Sequence, residues 1–324
     1  MRGLLVLAAL LLSFAAYAEG KVYEIAVVPK DATIGWFKRM DVGVVQYAKD
    51  SGMKAYLKGP SKTDAAAQAE VIEDLISAGV DALCVVPIDP VSLEPVLEKA
   101  LKKGIVVVTH EGATQQNTMY DIEAFDNNQY GAFIMDNLAK AMNYSGKYVT
   151  MVGFLTNASH NEWADGGIAR QKEKYPKMQL IQADARVEIQ DDPNITYQKA
   201  KELFKKYPDL KGIFGTSGHA APNSAKAIQE LGLKGKAFTC GTGLPSQVRR
   251  YLKDGTMQYA TLWDPADAGY AMCVLAKKIL DKEPIATGVN LGRKGYEKMT
   301  LKGKLLIGAG WVTLTKDNVD SFDF

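Results

Sequence analysis

Lys30, His110, Glu111, His160 and His219 are the side chains best equipped for chemistry in this sequence, and all five fall just beyond runs that read as β-strands. An ammonium donates, a carboxylate accepts and an imidazole can do either, so the group suits recognition of hydroxyl oxygens. Their neighbours extend that chemistry: Asn157, Ser159 and Asn161 surround His160, Thr216, Ser217 and Asn223 surround His219, and Asp264 follows Trp263. Trp36 and Phe37 open a helical stretch after Lys30. An indole offers an apolar plane for the C–H face of a sugar ring. Phe37 also fits plain core packing, and Asp264 before Pro265 would cap a following helix. The weight lies on the set.

Other chemistries fit less well. Three histidines and a carboxylate could hold zinc, but their spacings are long and no close His-x-x-x-His pair occurs. Neither a metal site nor a cofactor is expected. No Gly-x-Ser-x-Gly elbow, phosphate-cradling Walker loop or His-Glu-x-x-His motif appears, and Gly241-Thr-Gly243 lacks the third glycine of a dinucleotide loop. A binding protein is expected, not an enzyme.

The elements that must position these residues alternate. Strand-like runs at 23–28, 54–58, 82–86 and 105–109 alternate with helical patterns at 36–49, 64–78 and 90–103. The order then restarts, with strands at 147–152, 179–183, 212–216, 237–240 and 259–263 among helices at 162–175, 195–207, 221–231 and 245–253. Val- and Ile-rich strands followed by helices make parallel sheets covered on both faces. The expected fold is α/β, with two doubly wound parallel-sheet lobes joined by three hinge crossovers near Phe125, Trp263 and Gly288. Residues 21–125 and 264–287 form the first lobe in this reading; residues 126–263 and 288–324 form the second. A helix at 266–280 returns to the first lobe, and a late strand spans 305–312. Ligands of such sheets collect at the carboxyl ends of the strands, which is where the polar set lies.

The whole chain sets further bounds. Its 39 basic and 37 acidic side chains nearly cancel, which argues against a nucleic-acid partner. Arg2, an apolar stretch at 4–12 and Ala16-Tyr17-Ala18 read as a cleaved export signal, residues 1–18, without a lipid-anchoring cysteine at the cut. A periplasmic location follows. Cys84, Cys240 and Cys273 fall in apolar runs and read as buried thiols.

The order and spacing of several segments make the chain similar to a known family. Residues 25–37, the run Gly79-Val-Asp-Ala-Leu-Cys-Val-Val-Pro-Ile-Asp-Pro90, Lys103-Gly-Ile-Val-Val-Val-Thr109, and Gly241-Thr-Gly-Leu-Pro245 with Gly255-Thr256 resemble the ribose-type periplasmic sugar-binding proteins of ATP-driven importers. Val28-Pro-Lys30, Gly35-Trp-Phe37, Thr261-Leu-Trp-Asp264 and the terminal Asp317-Asn-Val to Asp323-Phe324 resemble the autoinducer-2 and rhamnose receptor branch. The resemblance implies a periplasmic binding protein type I fold, a monomeric receptor, an ABC transporter permease as partner, and room for a chemoreceptor as a second one. It implies that Lys30 binds ligand and that Glu111 replaces an aspartate. Ser159-His160 replaces an Asp-Gln pair, Thr216 and Gly218 replace a Pro and an Ala, and His110-Glu111 replaces the ribose receptors' Asp-Arg clamp. The expected ligand set is Lys30, Trp36, Phe37, His110, Glu111, Asn157, Ser159, His160, Thr216, Gly218, His219 and Asp264. A pentose, deoxyhexose, sugar alcohol, furanosyl signal or mildly acidic sugar all fit it.

Overall fold

The computed structural model describes residues 21–181 and 186–324; the expected export signal lies outside them. The first half runs β1 (Glu24–Val28), α1 (Gly35–Ser51), β2 (Lys54–Leu57), α2 (Ala65–Ala78), β3 (Ala82–Val85), α3 (Pro90–Lys102), β4 (Val106–His110) and β5 (Tyr120–Glu123). Then follow α4 (Asn127–Ala141), β6 (Gly146–Val152), α5 (Ala158–Lys174), β7 (Met178–Leu180), β8 (Val187–Glu188), α6 (Pro193–Lys206), β9 (Leu210–Gly215), α7 (Ala220–Glu230), β10 (Phe238–Gly241) and α8 (Pro245–Asp254). The chain ends with β11 (Ala260–Leu262), α9 (Pro265–Leu280), β12 (Thr300–Lys302), β13 (Leu305–Ile307) and β14 (Val312–Leu314).

Two sheets result. The first has the order β12-β13-β5-β4-β3-β1-β2 and is parallel except at β12, which pairs antiparallel with β13. The second runs β10-β9-β6-β7 with β8 beside the end of β6, all parallel. The strands of the first sheet are apolar on both faces because both are covered. Ile25, Val27, Cys84 and Val108 face α1 and α9; Ala26, Val28, Leu83 and Val107 face α2 and α3, and all eight side chains are fully buried.

Each lobe presses one helix pair together at a glycine. A Cβ on Gly43 of α1 would collide with the Ala266 carbonyl of α9, and one on Gly131 of α4 with the Trp163 carbonyl of α5. No side chain larger than hydrogen fits there. In each pair one helix, α9 or α4, begins directly after a chain passage between the sheets.

The chain passes between the sheets at 124–126, at 263–264 and at 308–311. The third passage corrects the expected boundary. Residues 300–307 belong to the first sheet, with Leu306 opposite Ile122, so the 288–324 segment does not all join the second lobe and Gly288 is not a crossing. The expected strand at 305–312 is divided by Gly308 and Gly310, whose N–H groups donate to the carbonyls of Glu123 and Ala124 at 2.9 and 2.8 Å. An apolar triplet such as Leu305-Leu306-Ile307 signals a buried strand, but its periodicity does not say which sheet edge it joins. Helix α4 also escaped the sequence reading, because its start, Asn127-Asn128-Gln129, dilutes the apolar face carried by Tyr130, Ile134 and Leu138.

Candidate ligand-binding cleft

The carboxyl ends of β1 and β4 bring Lys30 and Glu111 together. Lys30 Nζ stands 2.6 Å from Glu111 Oε2, with the two side chains 5% and 4% exposed. Glu111 holds a left-handed backbone, φ 58°, a strain of roughly 1–3 kcal/mol for a non-glycine residue. Burial alone would push its carboxyl up, but the Lys30 ammonium, with His110 and His160, more than offsets this and holds it below the usual carboxylate range. Glu111 is therefore an anion in a dry place. Ser159, at the start of α5 in the other lobe, brings its Oγ to 3.4 Å from the same Oε2.

His160 faces this pair from the second lobe. The Gly153 N–H donates to its Nδ1 at 3.2 Å, which places the ring proton on Nε2. Burial pushes its pKa down to about 4, so the ring is a neutral donor. His219, at the N-terminus of α7, is lowered in the same direction by burial. Trp36 meets Trp263 edge-on, with ring centroids 4.8 Å apart. A Cβ on Gly218 would stand 3.7 Å from the Trp36 ring, so indole and loop face each other across the cleft.

Of the expected set, Lys30, Trp36, Phe37, Glu111, His160, Thr216, Gly218 and His219 line one cavity between the lobes. Four residues stand outside its lining. His110 is fully buried, its Nδ1 2.7 Å from the Ile122 carbonyl, and it packs against Trp263 behind Glu111. Asn157 caps α5, its Oδ1 accepting from the His160 N–H and the Ser159 hydroxyl, both at 3.0 Å. Ser159 touches Glu111 but not the cavity wall. Asp264 caps α9 through the Ala266 N–H and receives two hydrogen bonds from the Arg39 guanidinium, at 2.9 and 2.6 Å. Asp264 thus serves as a cap and an ion-pair partner, and it stands outside the cavity lining.

The cavity also takes Trp163, Asp191, Ser217, Thr242, Gln247 and Trp263. The tryptophans were visible as aromatics beside polar loops; Asp191 follows a two-residue strand and carried no signal. A further pattern appears in the helix starts. Asp64, Asp89, Asp126, Asn157, Asp192 and Asp264 cap α2, α3, α4, α5, α6 and α9 with their side chains. The N-cap residues of α1, α7 and α8, namely Ile34, His219 and Leu244, make no side-chain cap, and all three line the cavity. In α8, Pro245 has no N–H and the Ser246 N–H donates to the Phe324 carbonyl at 2.8 Å. In α7 the Ala220 N–H donates to the Ser217 carbonyl at 2.9 Å and Pro222 has none, so it is the first turn of α1 that offers amide donors to the cleft.

Two wound sheets facing across an aromatic-edged polar cleft, with three chain passages behind it, define a two-lobed small-molecule receptor. The comparison with known proteins agrees: residues 25–284 match the periplasmic binding protein domain, and the chain belongs to that family. It is 27% identical over 276 residues to the D-allose-binding periplasmic protein of Escherichia coli (strain K12), covering 81% of this chain and 85% of that one. LsrB from Clostridium saccharobutylicum in complex with AI-2 shares the fold with a TM-score of 0.84, at 21% identity over 93% of this chain and 100% of that one. An ABC transporter solute binding protein from Clostridium phytofermentas with bound L-rhamnose does so with a TM-score of 0.86, at 23% identity over 93% and 98%. The expected family and type I fold hold. Among the described residues no helix is long and apolar enough to cross a membrane.

Proposed function

We propose that this protein is the solute-binding receptor of an ABC importer, capturing a small sugar or sugar-like molecule between its lobes in the periplasm and delivering it to the permease. The carrying observation is the buried Lys30–Glu111 pair, reached from the opposite lobe by Ser159 and flanked by Trp36. Fixed donors and acceptors beside an aromatic plane are what a polyhydroxyl ring requires. The name of the E. coli relative and the rhamnose-bound neighbour support the same ligand class. A ligand touching both lobes favours the closed form by its differential affinity for closed over open. The passages at 124–126, 263–264 and 308–311 are the hinges in this reading.

A furanosyl signal is the second reading. It is favoured by Lys30 beside a buried carboxylate and by the AI-2-bound neighbour. Thermal unfolding and calorimetry with D-allose, L-rhamnose and AI-2 separate the two. A ligand at one hundred times its Kd adds about 2.7 kcal/mol, which raises the midpoint by about 5 °C. Trp36→Ala should remove most of that rise. A panel of neutral sugars and AI-2 that leaves the midpoint unmoved would count against both readings.

A further inference from the structure

Asp191 differs from every other charged group in the cleft. Lys30 and Glu111 neutralise each other at 2.6 Å. Asp191 lines the same cavity, and among the described residues its carboxylate has no cation within ion-pair distance and receives no hydrogen bond. The two imidazoles nearest in charge, His160 and His219, are both held towards the neutral form by burial.

The backbone places the carboxylate deliberately. Gln190 and Asp191 are consecutive left-handed residues, φ 56° and 50°, in a turn where the Gln190 N–H donates to the Gly153 carbonyl at 2.8 Å. Two adjacent non-glycine residues in this region are strained. Gly153 makes the seat: a Cβ there would come within 2.7 Å of Asp191 Cγ, so only glycine lets the carboxylate lie over the end of β6. The uncapped first turn of α1 carries partial charges only, and amides of that kind serve hydroxyl and carboxylate oxygens alike. They do not decide the ligand's charge.

We propose that Asp191 is the residue that sets the ligand class: it accepts from hydroxyl groups of a neutral polyol and rejects sugars that carry a carboxylate. This rests on the sugar-receptor reading and narrows it, since the pairing of Lys30 with Glu111 leaves no unspent lysine or arginine among the described residues lining the cavity. Two carboxylates in a poorly screened cleft repel strongly, whereas a hydroxyl pair donating to Asp191 forms charge-assisted bonds.

Calorimetry of the full chain tests it with probes that keep the pyranose ring and differ in the C6 carboxylate: D-allose beside D-alluronate, D-glucose beside D-glucuronate, and D-galactose beside D-galacturonate. Wild type should prefer the neutral member by about 30-fold or more. Asp191→Asn keeps the shape and suits the left-handed backbone. It should weaken the neutral sugar by about tenfold and bring the acid to within about threefold of it. Asp191→Glu should restore the preference. Equal neutral-over-acid ratios in wild type and Asp191→Asn would overturn this assignment while leaving the sugar reading intact. Binding of none of the neutral sugars by wild type would overturn both.

Discussion

Two of the carboxylate–cation pairs in this molecule do opposite work. Lys30–Glu111 and Arg39–Asp264 each close at 2.6 Å, but the first pair is 5% and 4% exposed and the second 25% and 21%. Water still reaches Asp264, and its pair resembles a surface bridge, contributing at most about 1 kcal/mol. Around Glu111 water is gone, so each charge depends on the other, and removing one partner leaves an uncompensated ion. Burial, not distance, separates the two pairs.

The strongest way to break this contrast is Lys30→Ala. It should destabilise the protein by about 3–5 kcal/mol, measured by denaturant unfolding, and abolish the ligand-induced rise in midpoint. A loss below about 1 kcal/mol would place Glu111 in the same class as Asp264.

Asp121 sharpens the comparison, being as buried as Glu111 but lacking a lysine. Its Oδ1 accepts from the Gly112 N–H at 3.0 Å and its Oδ2 has no partner. Burial pushes its pKa up to about 7, and burial raises its neighbour Glu123 as well. A carboxyl raised in the folded state keeps its proton where the unfolded chain has lost it, so its stabilising effect is full below about 4 and fades as pH rises through 7. His160, lowered to about 4, works the other way: the unfolded chain takes up a proton first, and stability is lost as pH falls from about 6.5. The difference between variants isolates the acid. Asp121→Asn should gain on wild type by on the order of 2 kcal/mol between about pH 5 and pH 8; parallel stability curves would refute the assignment. Glu111, held low, should lose its contribution only as pH falls below the ordinary carboxylate range.

The smallest effect is expected at Asp264→Ala. Loss of the α9 cap and the Arg39 pair should cost about 1–2 kcal/mol together, with the ligand response retained. Loss of that response at unchanged stability would return Asp264 to the binding site.

Much of this was legible because strand ends are legible. Valine-rich runs ending at Val28 and His110 placed Lys30 and Glu111 at one sheet edge before any contact was known. Asn157 and Asp264 cap helices outside the cavity lining, and the sequence could not show this for a related reason. A carboxylate or amide at the start of a helix satisfies capping and ligand binding with the same atoms, and sequence alone does not say which partner takes them. Asp191 was missed because β8 is two residues long and the turn after it has no glycine to mark its left-handed backbone. The third chain passage was misplaced because Leu305-Leu306-Ile307 carries no record of its neighbour.

The four indoles of the chain gather in one place. Trp36 and Trp163 both lie edge-on to Trp263, and Phe125 and Tyr130, beside the first passage, contact Trp163, Trp263 and Trp311. No tryptophan is left elsewhere to supply a constant background. Tryptophan emission from the unlabelled protein, excited selectively, is therefore an optical gauge of the proposed domain movement, with that signal originating beside the proposed hinges.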